Sequence, residues 1–92
     1  MSLVVRELRL TYLDIIRLTR NARNYAAFLA VGDEYFGQNQ WQPAAEAYRK
    51  AVSLRPYDDN LHTKLGHALY SQGLRDEANK EYQKAKELRS KQ

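Results

Sequence analysis

The sequence predicts an all-α protein, a helical repeat of two helix–turn–helix units that follow an N-terminal helix. Strong helix formers are abundant, and the 92 residues include only two prolines and four glycines. Apolar residues recur with helical spacing along most of the chain. A 34-residue internal repeat then divides the chain into structural units. A chain of this length forms one domain with one modest core.

The internal repeat relates residues 25–58 to residues 59–92. A shift of 34 residues gives eight identical positions, where about two are expected by chance. The identical pairs are Gly32/Gly66, Gln38/Gln72, Ala44/Ala78, Tyr48/Tyr82, Lys50/Lys84, Ala51/Ala85, Leu54/Leu88 and Arg55/Arg89. Within each unit Ala, Tyr and Ala follow at spacings of four and three, which places them on one helical stripe.

Residues 1–24 precede the repeats and are expected to form an amphipathic capping helix near 3–21. On a helical wheel, one arc is apolar and the neighbouring arc is basic. The apolar arc comprises Val4, Val5, Leu8, Tyr12, Ile15 and Ile16. The basic arc comprises Arg6, Arg9, Arg17 and Arg20. A short strand from Leu8 to Tyr12 is the alternative, but residues 14–18 return to the helical period.

The first unit is expected to hold helices at 25–38 and 42–54. The first of them is apolar on every side, which predicts burial all round, partly beneath residues 1–24. It should end near Gly37. Pro43 suits the first turn of the second helix, and Pro56 prevents that helix from continuing.

The second unit is expected to hold helices at 59–72 and 75–89. Asp58 or Asp59 can cap the first of them, and Gly73 can end it. Asp76 and Glu77 place negative charge at the start of the last helix, where the helix dipole favours it. These paired acids therefore indicate helix starts and not a pair of catalytic carboxylates.

The repeats resemble tetratricopeptide repeats, with one unit at about 25–58 and the other at about 59–92. The residues that carry this resemblance in the first unit are Phe28, Val31, Gly32, Tyr35, Ala44, Tyr48, Ala51 and Pro56. In the second they are Leu65, Gly66, Leu69, Ala78, Tyr82 and Ala85. His62, Arg75 and Ser90 depart from the pattern, which suits a final repeat whose outer face meets water.

The resemblance implies a non-catalytic adaptor or scaffold that binds a peptide segment of another protein in its concave groove. Carried over from the family, the groove residues are Leu29, Asp33, Phe36, Asn60, Thr63, His67 and Tyr70. One branch of the family grips the terminal carboxylate of heat-shock chaperones. Leu29 and Asp33 occupy two of its clamp positions, and an aspartate repels a carboxylate. A basic or apolar ligand segment is therefore expected, with Asp33 and His67 close together at its polar end.

The sequence predicts neither an enzyme nor a cofactor. It contains no cysteine, which excludes thiolate catalysis, disulfides and cysteine-bound zinc. His62 and His67 are five residues apart and are not accompanied by a set of ligands at metal-binding spacing. No glycine-rich phosphate loop or serine nucleophile motif is present.

Two other function classes stay open. The net charge of +4 is concentrated in residues 1–24, which carry five arginines against two acids. Arg6, Arg9, Arg17 and Arg20 would serve nucleic-acid or anionic-surface binding. The alternative is a structural piece that self-associates, as a homodimer through residues 1–24 or through the open repeat end. We expect no secretory leader and no membrane span, and a cytoplasmic location.

Overall fold

The computed structural model describes residues 11–92, which form four α-helices and no strand. They are α1 (Tyr12–Gly37), α2 (Trp41–Leu54), α3 (Asp59–Gln72) and α4 (Arg75–Ser90). The helix α1 packs on α2, α3 packs on α4, and α2 packs on α3. Two antiparallel helical hairpins are therefore stacked, and the predicted all-α repeat architecture is confirmed.

Local sequence signals set the helix ends. Thr11 and Asp14 form a capping box at the start of α1, since each side chain accepts a hydrogen bond from the other's backbone N–H. The Asp58 side chain caps α3 by accepting from the Asn60 N–H. Gly73 ends α3 with a φ of 95°, a left-handed conformation that glycine adopts without strain. The predicted caps of α3 are thus confirmed.

The predicted boundary between helices at 3–21 and 25–38 is wrong within the described residues. A single helix of 26 residues runs from Tyr12 to Gly37. The reason is local, because residues 19–24 contain neither proline nor glycine, and asparagine at 21 and 24 lowers helix propensity only slightly. The remaining part of the predicted helix, residues 3–10, lies outside the described residues.

The core lies where α2, α3 and α4 meet. Its buried cluster comprises Ala44, Ala45, Tyr48, Leu65, Ala68, Leu69 and Ala78. Small alanines let the helices approach, and the Tyr48 ring fills the space between α1 and α2, where it lies against Gly32. Tyr82 repeats this contact with Gly66 between α3 and α4. The same glycine–tyrosine contact therefore packs the two helices of each unit, and the two contacts are 34 residues apart in the sequence.

Among residues 11–92, the outer face of α1 is exposed, whereas burial on every side was expected. Gly32 is the buried residue of α1, whereas Ala27, Ala30 and Val31 are exposed. Residues 12–24 do not fold back over this face because they belong to the same continuous helix. The division into a cap at 1–24 and repeats at 25–92 stays a prediction.

Candidate functional site

The predicted groove residues lie on one face of α1 and one face of α3. Leu29, Asp33 and Phe36 follow helical spacing on α1, as do Asn60, Thr63, His67 and Tyr70 on α3. The structure brings Asp33, Phe36 and His67 together around a shallow pocket of about 110 Å³. Tyr48 and Lys64 complete its lining.

Asp33 is the centre of a hydrogen-bond network in this pocket. Its Oδ1 atom accepts from the Tyr48 hydroxyl at 2.6 Å and from the Lys64 ammonium at 2.9 Å. The Asp33 and Lys64 side chains are 46% and 41% exposed, so this ion pair remains in reach of a ligand. Both bonds fall on the same carboxylate oxygen, so Oδ2 is left as a further acceptor.

Tyr48 joins the groove to the core. Burial of its ring raises the pKa of the phenol well above the ordinary value of 10.0, and the hydrogen bond to Asp33 raises the pKa further. The phenol therefore stays neutral and keeps donating to Asp33. A core residue thus fixes the orientation of a charged groove residue.

We expected Asp33 and His67 to lie close together at the polar end of the site, but each makes its contacts with other residues. Both residues line the pocket, but the Asp33 carboxylate is bonded to Tyr48 and Lys64. The His67 ring instead contacts the ring of Tyr82 edge-on, with centroids 5.6 Å apart. Lys64 lies about one turn before His67 on α3, and its flexible side chain brings the ammonium to the Asp33 carboxylate.

The other predicted groove residues differ in how much of their surface is accessible to a ligand. Leu29 and Phe36 are half-buried against the core, and the Phe36 ring makes an edge-on contact with Trp41 at 5.0 Å. Tyr70 is 51% exposed, and the Arg75 guanidinium lies 5.5 Å from its ring centroid. Asn60 is exposed. Tyr70 is thus the most accessible aromatic side chain of the predicted set.

Two family models match the chain and identify the family to which it belongs. A model described as TPR repeat matches residues 32–73, and one described as tetratricopeptide repeat matches residues 60–92. The chain belongs to the tetratricopeptide repeat family. Such repeats generally act in protein–protein interaction and are typically non-catalytic. No curated protein matches the chain.

In this tetratricopeptide repeat protein, the sequence analysis did not anticipate that Lys64 and Tyr48 line the pocket beside Asp33. Lys64 lies between Asn60 and His67, four residues after one and three before the other, so its position on the lining face was readable. Tyr48 was assigned to the core, where its ring indeed lies. The hydroxyl reaches the groove because the ring passes Gly32, a route that a helical wheel does not reveal.

His62, which takes an aromatic position of the repeat, is buried within the tetratricopeptide stack. Its Nδ1 atom lies 2.7 Å from the Glu81 carboxylate and its Nε2 atom 2.8 Å from the Pro56 carbonyl oxygen. The ring therefore joins α3 to α4 and to the turn before α3. Within residues 11–92, no three potential metal ligands cluster together.

The predicted basic surface is described only in part. Arg17 and Arg20 are exposed on the first half of α1, which precedes the predicted groove residues of the same helix. Arg6 and Arg9 lie outside the described residues. Among residues 11–92, none of the helices combines the length and hydropathy that a bilayer-spanning segment requires.

Proposed function

We propose that this protein is a non-catalytic adaptor or scaffold that binds a peptide segment of another protein in the groove formed by α1 and α3. The observation that carries the proposal is the half-exposed Asp33–Lys64 ion pair beside Phe36 and His67. A pair of opposite charges can bond both the N–H and the C=O groups of a peptide backbone.

The groove chemistry favours a partner segment with an apolar or basic side chain. Tyr70 presents an aromatic face for an apolar residue, and aromatic side chains contribute large contact areas at interfaces. Asp33 accepts hydrogen bonds from a basic group, although Lys64 already neutralises part of its charge. A terminal carboxylate is not favoured, because the Lys64 ammonium that could bind it is already paired with Asp33. The lack of cysteine fits a cytoplasmic location, which stays a prediction.

To test this proposal, peptides that bind the full chain are first selected from a displayed peptide library. Affinities of the selected peptides are then measured by calorimetry for the wild type, Asp33→Asn and Lys64→Gln. Asp33→Asn keeps an acceptor for Tyr48 and so preserves the fold, but removes the charge. We expect each variant to bind about tenfold more weakly, the equivalent of one charge-assisted hydrogen bond.

Glu77→Gln is the matched control, because Glu77 is an exposed acid that pairs with Arg49 outside the groove. It should bind like the wild type. Equal affinity of the wild type and both groove variants would show that the peptides bind elsewhere.

The exposed arginines of α1 support a second candidate function, the binding of a nucleic acid or an anionic surface. Arg17 and Arg20 are both accessible. Affinity that depends on phosphate contacts falls steeply with salt concentration, whereas contact with an apolar peptide does not. A salt titration of binding therefore separates the two functions, and Arg17→Gln should weaken only the second.

A further inference from the structure

The buried ring of His62 connects three parts of the fold. His62 is 4% exposed. Its Nδ1 atom lies 2.7 Å from Oε1 of Glu81 on α4, and its Nε2 atom lies 2.8 Å from the carbonyl oxygen of Pro56, in the turn between α2 and α3. Both distances are short for hydrogen bonds of a ring N–H. The ring therefore joins α3 to its partner helix and to the junction between the two units.

Both partners of the ring are hydrogen-bond acceptors. A backbone carbonyl has no proton to donate, and a carboxylate only accepts. The second oxygen of Glu81 accepts from the Lys84 ammonium at 3.3 Å, which favours the charged carboxylate. A neutral imidazole has one N–H, so one of its ring nitrogens would face an acceptor with a lone pair. The imidazolium, which has two N–H groups, donates to both partners.

The first unit lacks this pair at the equivalent positions. A shift of 34 residues aligns His62 with Phe28 and Glu81 with Ala47. Neither Phe28 nor Ala47 has a polar side-chain atom. Histidine and glutamate thus replace an aromatic and a small residue together, at two positions that bond to each other in the second unit. The pair is therefore a feature of the second unit and not of the repeat pattern.

The other charged groups near the ring leave Glu81 as the carboxylate that bonds to it. The titratable side chains that line the cavity beside His62 are Tyr57 of the turn and Lys84, Glu87 and Lys91 of α4. The helix α2 contributes Val52, which is uncharged. On α3 itself, the carboxylates of Asp58 and Asp59 bond to Tyr25 and to Arg89.

We propose that the His62–Glu81 pair is a pH-sensitive contact that holds the junction between the two units. The ring carries two protons in the folded chain, and release of one breaks its hydrogen bond to Pro56 or to Glu81. The unfolded chain lacks this pair of acceptors, so the fold binds the proton more tightly. The stabilisation is complete in mild acid, where a free imidazole is also charged, and is lost as rising pH removes the proton from the folded chain.

Nitrogen-15 NMR of the full chain tests the charge of the ring, because the ring nitrogen shifts distinguish an imidazolium from either neutral tautomer. The chain contains two histidines, so His67→Gln leaves His62 alone and assigns its signals. We expect the doubly protonated ring at neutral pH. A neutral ring at that pH, in either tautomer, would overturn the proposal.

Glu81→Gln separates the charge of the pair from its hydrogen bonds. A glutamine amide can donate to Nδ1 of a neutral ring, while the Nε2–H group still donates to Pro56. Between about pH 5 and about pH 9, the unfolding constant of the wild type should rise about tenfold more than that of Glu81→Gln, the equivalent of one charge-assisted hydrogen bond. Urea unfolding at the two pH values measures this difference.

Glu77→Gln is the matched control, because it removes another carboxylate of α4, one that forms an exposed ion pair with Arg49. Its pH response should follow that of the wild type. A response of Glu77→Gln that is as flat as that of Glu81→Gln would overturn the proposal, since net charge would then be the cause.

A double variant places the residues of the first unit in the second. His62→Phe combined with Glu81→Ala should fold, as judged by helical circular dichroism, and should show the flat pH response of Glu81→Gln. If the wild type and both variants respond equally to pH, the proposal is wrong. The ring nitrogen measurement decides the question should either variant fail to fold.

Discussion

Gly66 lies directly against the ring of Tyr82. A Cβ atom on Gly66 would be 2.6 Å from Tyr82 Cε1, closer than any real side-chain contact allows. Gly32 has the same relationship to Tyr48, with Cδ1 and Cε1 both at 2.6 Å. In each repeat, the absence of a side chain on the glycine therefore leaves room for a tyrosine ring of the next helix.

Gly66→Ala should lower the free energy of unfolding by about 1–3 kcal/mol, because the added methyl overpacks a buried site against Tyr82. Gly37→Ala is the matched control. Gly37 is helical, and a Cβ atom there meets nothing within 4 Å. It should leave stability unchanged or raise it by up to about 1 kcal/mol. Denaturant unfolding of both variants checks this, and similar effects at the two sites would contradict the close contact.

Tyr48→Ala should destabilise the protein by about 3–5 kcal/mol, since it removes a ring that is 2% exposed at the centre of the core. Tyr48→Phe keeps the ring and loses only the hydrogen bond to Asp33, so about 1 kcal/mol is expected. Tyr57→Ala, at a side chain that is 80% exposed, should be nearly neutral. Thermal unfolding measures all three, and a loss at Tyr57 as large as at Tyr48 would refute this assignment of the core.

Stability should decline at alkaline pH. Burial raises the pKa values of Tyr48, Tyr82 and Tyr25 above the ordinary 10.0. The fold therefore binds these protons more tightly than the unfolded chain does. Their contribution is complete below pH 10 and is lost as pH rises from there through the raised pKa values.

Tyr48→Phe lacks one of these phenols, so its stability deficit relative to the wild type should shrink as pH rises above 10. Unfolding measured across this range, together with tyrosinate absorbance, checks the expectation. A deficit that is constant with pH would mean that Tyr48 ionises equally in the folded and unfolded chains.

Acid should weaken the contact between the start of α3 and the end of α4. The Arg89 side chain donates a hydrogen bond to the Asp59 carboxylate and lowers the pKa of that group below its usual 3.8. The contribution is present above pH 3.8 and is lost as pH falls through the lowered pKa. Arg89→Gln should therefore be less stable than the wild type at neutral pH, and the difference should vanish in strong acid. A difference that persists there would exclude this ion pair as its cause.

The repeat architecture was readable from the sequence because the decisive residues act locally or recur. Gly73, Pro43 and Asp58 set helix ends through backbone geometry and capping, which the chain specifies within a few residues. The period of 34 aligned Tyr48 with Tyr82 and thereby identified both core rings.

The length of α1 was misjudged because no residue near position 22 either stops or requires a helix. The Asp33–Lys64 pair was not anticipated because its distance depends on how α1 and α3 stack. The distance between the Asp33 carboxylate and the Lys64 ammonium depends on the crossing angle of the two helices and on the length of a flexible lysine side chain. Neither can be derived from the spacing of residues on one helix.

Calorimetry of a selected peptide with Tyr70→Ala and Tyr57→Ala tests the proposed groove most directly. Both side chains are exposed tyrosines, at 51% and 80%, but only Tyr70 lies on the groove face of α3. Loss of the Tyr70 ring should weaken binding about tenfold or more through the buried apolar area, and Tyr57→Ala should bind like the wild type. Unchanged affinity for Tyr70→Ala, combined with loss of binding in Arg17→Gln, would contradict the groove and place the site on the basic first half of α1.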